Sequence, residues 1–491
     1  MRILVIGLDC AAPELLFGYE ELANIRRLMD MGCYGKLESV VPPITIPAWM
    51  CMSTSQDPGS LGVYGFRNRG DHSYEKLQIV NAKSIRTTAI WDYLAMEGKK
   101  SVLIGVPPSF PPRKVNGICV GCFITPDSNT DEYTHPAHIK DEIKGLVGEY
   151  PVDVKGFRTD KKDWLKEQIF ELSRKQFTVI RHYLQHAEWD YFHFVNIALD
   201  RVHHGFWSYC DPSHVDHVPG NPYQTVIRDF YRHLDEEIGK VLELIPEDTI
   251  VLVVSDHGAR PLDGGFCVNE WLVKEGLLVL DEYPKTVTPF GKLKVNWAKT
   301  KVWSEGGYYA RVFLNVEGRE PTGAIPRGDV VRFRDELKAK LEATAGPDGK
   351  PLGTLVFKPE EVYREVKNVA PDLIVHFGAL AWRSIGGVGY GPGTLHVREN
   401  DTGPDDCNHA QLGAFILSAA NNPLSGEISG ARLLDIAPTL MELGGYEIPE
   451  SFQGRSLVSG KTAPSPGGHV DLAPDREEII RQRLSGLGYI S

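Results

Sequence analysis

Six side chains able to hold a metal fall at comparable places in this sequence. Asp9 ends the apolar run ILVIGL, and Asp200 follows YFHFVNIAL with His203 and His204 just behind it. Asp256 and His257 end TIVLVVS, and His409 stands in DDCNHAQLGAFILSA, in a loop ahead of a further apolar run. Singly, an Asp after a strand reads as a turn former or helix cap, and a lone His as a structural side chain. Together they read differently, because carboxylates gathered at one edge repel one another unless a cation sits between them. Three Asp and three His (one of the adjacent His203 and His204, with His257 and His409) without a Cys make a mixed oxygen and nitrogen set. Zinc suits that set best, with manganese as the competitor. Such a set exceeds what one tetrahedral ion takes, so it predicts a pair of divalent ions. Paired ions roughly 3.5–4 Å apart clamp the attacking and leaving oxygens of an in-line phosphoryl displacement.

A nucleophile is available in VPPITIPAWMCMSTS. Pro42, Pro43 and Pro47 stiffen the approach, and WMCMSTS reads as the start of a helix. The Thr45 hydroxyl near that helix start could sit beside a phosphate held by backbone N–H groups. A neighbouring metal would lower its pKa and make the alkoxide accessible. Without metals, Thr45 would read as a cap. Ser53, Thr54 and Ser55 lie further into the helix and face core or solvent.

For these residues to meet, several strands must lie side by side in an open parallel sheet, where ligands bind beyond the carboxyl ends. The pattern supplies them. ILVIGLD is a buried strand, ELANIRRLMDMG a helix closing on glycine, YGKLESV a second strand, TAIWDYLAM a helix and SVLIGV a strand. YFHFVNIAL, the helical IRDFYRHLDEEIGKVLELI and TIVLVVSD continue the alternation. The predicted fold class is therefore α/β, a mostly parallel sheet with helices on both faces, plus an inserted cap region. Residues 1–124, 190–260 and 395–457 are read as three parts of a catalytic core. Residues 125–189 form a polar helical cap segment, with a helix from Lys162 to His186. Residues 261–394 form an inserted cap subdomain, with NEWLVKEG and a helix over Asp329 to Ala343. Residues 458–491 form a tail whose APDREEIIRQRLSGLGYIS is an amphipathic helix.

Composition excludes several classes. Lys+Arg total 53 against 65 Asp+Glu, a net charge of -12, the wrong sign for a general nucleic-acid or anionic-membrane binder. Eight cysteines are too scattered for a disulfide framework, and Cys119 and Cys122 read as part of a buried strand. No stretch approaches the roughly 20 apolar residues of a membrane span. MRILVIGLD reads as a strand rather than a signal peptide, so a cytoplasmic location is expected. No G-x-G-x-x-G follows the first strand, which argues against a dinucleotide-binding fold.

Several segments together resemble one family. VIGLD at the start, PPITIPAW, LDRVHHGFW, VSDHG and the H-x-x-x-G from His409 to Gly413 occur in order. NEWLVKEG, FLNVEGREPTG, APDLIV and DIAPTLMELGG lie among and after them. The chain resembles the alkaline phosphatase superfamily, and within it the type I phosphodiesterase/nucleotide pyrophosphatase group of predicted phosphohydrolases and phosphomutases. The resemblance spans residues 1 to 457. It implies an alkaline-phosphatase-like fold, with one ion on Asp200, His204 and His409 and a second on Asp9, Asp256 and His257. Thr45 would bridge them as nucleophile. His204 is preferred to His203 because the family's ligand comes four residues after the Asp. His409 is preferred to His396 because a glycine and an apolar strand follow it.

The implied reaction is hydrolysis of phosphodiester or pyrophosphate bonds in a small phosphorylated substrate, through a phosphothreonine. A phosphomutase or phosphomonoesterase at the same site, or a non-catalytic phosphometabolite binder, are the alternatives. The chain departs from the nucleotide pyrophosphatases at Ala48, where they carry an asparagine that holds a phosphate oxygen. It departs again at Ser60-Leu61-Gly62, where they often carry SHG. Asn196 and Arg67 are the expected substrate-binding replacements, with Arg201 and Arg260 also nearby.

Overall fold

Ile3–Leu8, Tyr191–Asn196 and Ile250–Val254 are buried along their whole length. A strand apolar on both faces belongs in the middle of a sheet covered on both sides. In the computed structural model, which describes residues 1–398, 400 and 402–462, these three lie side by side. Ile3–Leu8 is central, with Tyr191–Asn196 and Ile250–Val254 parallel to it on either flank.

Across the main sheet the order is Gly426–Glu427, Cys33–Glu38, Leu412–Ser418, Ile250–Val254, Ile3–Leu8, Tyr191–Asn196, Ser101–Ile104, Gly117–Val120, Thr134–His135. Pairing is parallel from Ile250–Val254 through Gly117–Val120. Leu412–Ser418 runs antiparallel to both its neighbours, and Thr134–His135 antiparallel to Gly117–Val120. The fold is α/β with a mostly parallel sheet, in agreement with the strand pattern of the sequence.

An apolar cluster covers each face. On one side lie helices Ala23–Met31, Lys162–His186, Ala198–Cys210 and Val226–Leu242. On the other lie Thr45–Thr54, Ile90–Met96 and Ile436–Leu443. The Lys162–His186 helix, expected in a cap segment, instead packs Leu165, Ile169, Leu172 and Phe177 into the body's core. It looked polar because a helix covering a sheet buries only one stripe.

Between the Asp256–His257 segment and His409 the chain builds a second core of its own. Val302–Glu305, Ala310–Leu314, Leu373–His376 and Leu355–Phe357 form a four-stranded antiparallel sheet in that order. Trp303, Phe313 and Leu337, the last from the Val330–Glu342 helix, pack within it. A hairpin of Arg67–Arg69 with Leu77–Ile79 leaves the body and is pinned to this unit by a buried ion pair, Arg69 to Glu320 at 3.3 Å.

Two local assignments differ from the sequence reading, and both bear on the site. The Tyr191 strand stops at Asn196 and a helix starts at Ala198, so Asp200 lies in the first helical turn. His409 lies in the strand Cys407–Ala410 rather than a loop, paired antiparallel with Gly258–Pro261. The expected C-terminal helix at APDREEIIRQRLSGLGYIS lies outside the described residues. No helix among the described residues is long and apolar enough to cross a membrane.

Candidate active site

The carboxyl ends of the three central strands deliver the acids. Asp9 follows Leu8 directly, and Asp256 comes two residues after Val254. Asp200 and His204 sit one turn apart on the Ala198–Cys210 helix, so their i,i+4 spacing brings them onto one face. The Gly258–Pro261 ribbon folds Cys407–Ala410 back over this edge and brings His409 with it.

Close packing of backbone against side chain fixes the acids. A Cβ at Gly7 would meet the Trp49 ring and the Phe194 carbonyl oxygen, each at 2.7 Å. The bare glycine lets Trp49 lie on the strand, where its Nε1 donates to Asp9 Oδ2 at 2.7 Å. Cys10 takes a left-handed conformation, φ 66°, which costs a non-glycine residue about 1 kcal/mol or more. Its backbone N–H thereby donates to Asp256 Oδ1 at 3.2 Å.

Every acid and imidazole of the cluster is tied through one polar atom. Asp9 is held by Trp49, Asp256 by Cys10, and Asp200 Oδ2 accepts from Arg201 at 2.5 Å. His204 Nδ1 lies 2.5 Å from Asp405, His257 Nδ1 3.1 Å from the Gly258 carbonyl, and His409 Nδ1 2.9 Å from the Pro43 carbonyl. The remaining atoms turn towards one another. His257 Nε2 is 3.2 Å from Asp256 Oδ2, 3.8 Å from Asp9 Oδ1 and 3.3 Å from the Thr45 hydroxyl. Asp200 Oδ1 is 3.3 Å from His204 Nε2 and 3.8 Å from His409 Nε2. The free oxygens of all three acids, and His204 Nε2, are buried without a hydrogen-bond partner.

Electrostatics show the strain of this packing. Burial, then the Asp200 charge, holds the Asp9 carboxyl well above the usual range; burial, then Asp9, does the same to Asp256. Burial would raise Asp200 too, but His204 and Arg201 outweigh it and hold it well below. Burial pushes His257 down to about 4. Buried polar atoms without partners are expensive, and a divalent cation among them would supply what the protein does not. The donor set therefore fits metal. Groups able to hold an ion are Asp9, Asp256 and His257; Asp200, His257 and His409; and Cys10, Asp200 and His204. The expected trio of Asp200, His204 and His409 is not itself one of these groups, although Asp200 Oδ1 faces both imidazoles.

Thr45 opens the Thr45–Thr54 helix and is almost fully buried. Above it lies a cavity of about 250 Å³ with Thr45, Asp200 and His409 in its lining. Its walls carry five arginines, Arg67, Arg158, Arg201, Arg311 and Arg383. Tyr308 stacks on His409 with ring centres 4.3 Å apart, and His409 on His257 at 3.8 Å.

Arg67 and Arg201 reach this cavity. Asn196 does not, which corrects its expected substrate contact. Its amide donates to Ser173 and Gln176 on the Lys162–His186 helix, because strand alternation turns the side chain into the helix layer. Arg260 donates to the Ala379 carbonyl. His203 packs against Trp207 and Tyr231, and His396 contacts the Ala345 carbonyl. The sequence reading missed Asp405, Trp49, Tyr308, Arg311, Arg158 and Arg383. Only Asp405 carried a signal, standing four residues before His409 in DDCNH.

No curated protein matches the sequence. Among solved structures, the chain is similar to phosphonoacetate hydrolase from Sinorhizobium meliloti 1021 in complex with phosphonoformate. That match has TM-score 0.59 and 16% identity, covering 91% of this chain and 95% of that one. It is also similar to murine ectonucleotide pyrophosphatase / phosphodiesterase 5, at TM-score 0.52 and 14% identity, covering 97% and 99%. These likenesses carry the fold, which is alkaline-phosphatase-like. The sequence profile of the type I phosphodiesterase / nucleotide pyrophosphatase family matches residues 3–405. The chain therefore belongs to that family and is a hydrolase acting on phosphoric ester bonds.

Proposed function

We propose that the chain cleaves phosphodiester or pyrophosphate bonds of a small phosphorylated substrate, with Thr45 as nucleophile and a pair of divalent ions in the site. Zinc is the first choice and manganese the second. One observation carries this reading. Three acids and three imidazoles are each anchored through one atom, while their remaining atoms are buried and turned inward around Thr45. Asp9, Asp256 and His257 would hold one ion, and Asp200, His204 and His409 the other. When bound, the ions would neutralise the acids and make the Thr45 hydroxyl more acidic.

The chain's own groups then do the following. Thr45 Oγ1 gives up its proton and attacks phosphorus opposite the leaving oxygen, the bond to that oxygen breaks as it takes up a proton, and a phosphothreonine that keeps the substrate's other substituent results. Water attacks the same phosphorus, releases the phosphoryl product and restores the hydroxyl. In the first turn of the Thr45–Thr54 helix Pro47 has no N–H and Ala48 donates to the Ile44 carbonyl at 3.0 Å. This leaves the Thr45 and Ile46 N–H groups without partners in the helix, and the positive end of its dipole faces the charge that develops. Arg201, held by Asp153 at 2.7 and 2.8 Å, adds a fixed positive charge beside Asp200. Tyr308 covers the cluster and keeps bulk water off. Fixed charge of this kind matters more than a strong acid when the transition state is loose.

Thr45→Ala is the test. Turnover of bis-p-nitrophenyl phosphate should fall by at least about 10³-fold while metal content measured by elemental analysis stays the same. Acid-quenched wild-type protein should carry a p-nitrophenyl phosphoryl group on Thr45 by mass spectrometry. Unchanged turnover in the variant would remove Thr45 from the reaction.

A further inference from the structure

The five arginines of the cavity are not equally occupied. Arg201 makes two hydrogen bonds to Asp153 and one to Asp200. Arg158 and Arg383 both donate to Asp405, each at 3.1 Å. Arg67 and Arg311 stand apart. Their nearest carboxylate is Glu305, with Arg67 Nη2 at 3.7 Å and Arg311 Nη2 at 3.9 Å. Neither distance is a hydrogen bond. One carboxylate between two guanidiniums leaves a positive charge unanswered, beside the Phe66 and Phe123 rings that also line the cavity. Apolar walls strengthen any charge pairing made against them.

The two arginines come from different parts of the molecule and are held together. Arg311 Nη1 donates to the backbone carbonyl of Arg67, so the cap sheet fixes the base of the hairpin, and the buried Arg69–Glu320 pair fixes it again. The Arg311 side chain is 8% exposed and firmly placed, whereas that of Arg67 is 52% exposed and able to swing. Gly306 and Gly307 follow Glu305 and also line the cavity.

We propose that Arg67 and Arg311 form a second anion site, so that the substrate carries a carboxylate or a further phosphate group beside the phosphoryl group at Thr45. This rests on the reading of Thr45 as the phosphoryl centre. It narrows the substrate to small molecules with two anionic groups, the one attacked at the floor and the other clamped between hairpin and cap. Arg67 and Arg311 are specificity residues in this account.

The test uses the metal-loaded full chain, with bis-p-nitrophenyl phosphate turnover as readout and free metal held constant. Inhibition by methylphosphonate, with one anionic group, is compared with phosphonoacetate, which adds a carboxylate, and methylenediphosphonate, which adds a second phosphonate. Wild type should bind at least one of the two-headed inhibitors about 30-fold or more tightly than methylphosphonate. That ratio should fall about tenfold or more in Arg67→Gln. It should also fall in Arg311→Lys, which keeps the charge but loses the fork. Taking the ratio within each protein cancels any general loss of activity. The preferred inhibitor distinguishes carboxylate from phosphate. No preference in wild type, or an unchanged ratio in both variants, would overturn the second site. If wild type does not turn over the diester, the proposed reaction fails instead, and calorimetry with the same three compounds still decides the second site.

Discussion

Asp405 joins the two halves of the site through a single carboxylate. One oxygen meets His204 Nδ1, and the other accepts from Arg158 and Arg383. A carboxylate behind a metal-facing imidazole fixes its ring and raises its basicity, and losing such a partner typically costs about 10–100-fold in metal affinity or activity. Asp405→Asn should show a loss of that size, read as metal retained after dialysis and as turnover. Wild-type retention and turnover would mean that packing alone orients His204. At this scale the sequence was legible where chemistry coincided with a strand end, as for Asp9, Asp256 and His257. It was not legible for Asp405, Trp49 or Tyr308, since an anchoring partner needs only to be near in space and follows no spacing in the chain. Asn196 misled for a related reason. It stands at a strand end, but the strand's alternation points it away from the cavity.

Among the elements, the helix carrying Thr45 depends on its seat against the Ile3–Leu8 strand. Gly7 supplies that seat, with Trp49 pressed onto its bare backbone. Gly7→Ala should push the helix off the sheet, which displaces Thr45 and the Asp9 anchor together. The expected cost is about 1–3 kcal/mol of stability by denaturant unfolding, with a parallel fall in turnover. A variant matching wild type in both would show that the seat yields. The long apolar strands were easy to recognise from sequence because burial on both faces leaves no polar alternation. The strand break at Asn196 was hidden, since Ile197, Ala198 and Leu199 continue the apolar run into a helix. The four-residue strand holding His409 was hidden as well, because CNHA has no apolar alternation to reveal it.

For the whole molecule, overall charge and local charge have opposite signs. A net -12 chain surrounds a cavity walled by five arginines, so its composition gave no hint of a locally basic wall. The cap core was likewise unreadable in topology, because strands of three to five residues give too little periodicity to place. Metal removal should be felt across the body, since the acids at stake terminate its central strands. Stripping with EDTA should lower the melting temperature, and zinc or manganese should restore it. At a free-ion level about 1,000-fold above the dissociation constant, the linked stabilisation is about 4 kcal/mol. An unchanged melting curve would show that nothing had been bound. One arrangement in the sheet also governs the order of events during synthesis. Leu412–Ser418 is the wedge between Cys33–Glu38 and Ile250–Val254, and His409 travels just ahead of it. Until the ribosome has released that stretch, two strand edges stay unpaired and the centre lacks an imidazole. Binding of the proposed ions would therefore come late, after this stretch has joined the sheet, and a truncation before this wedge should yield a sticky, inert product.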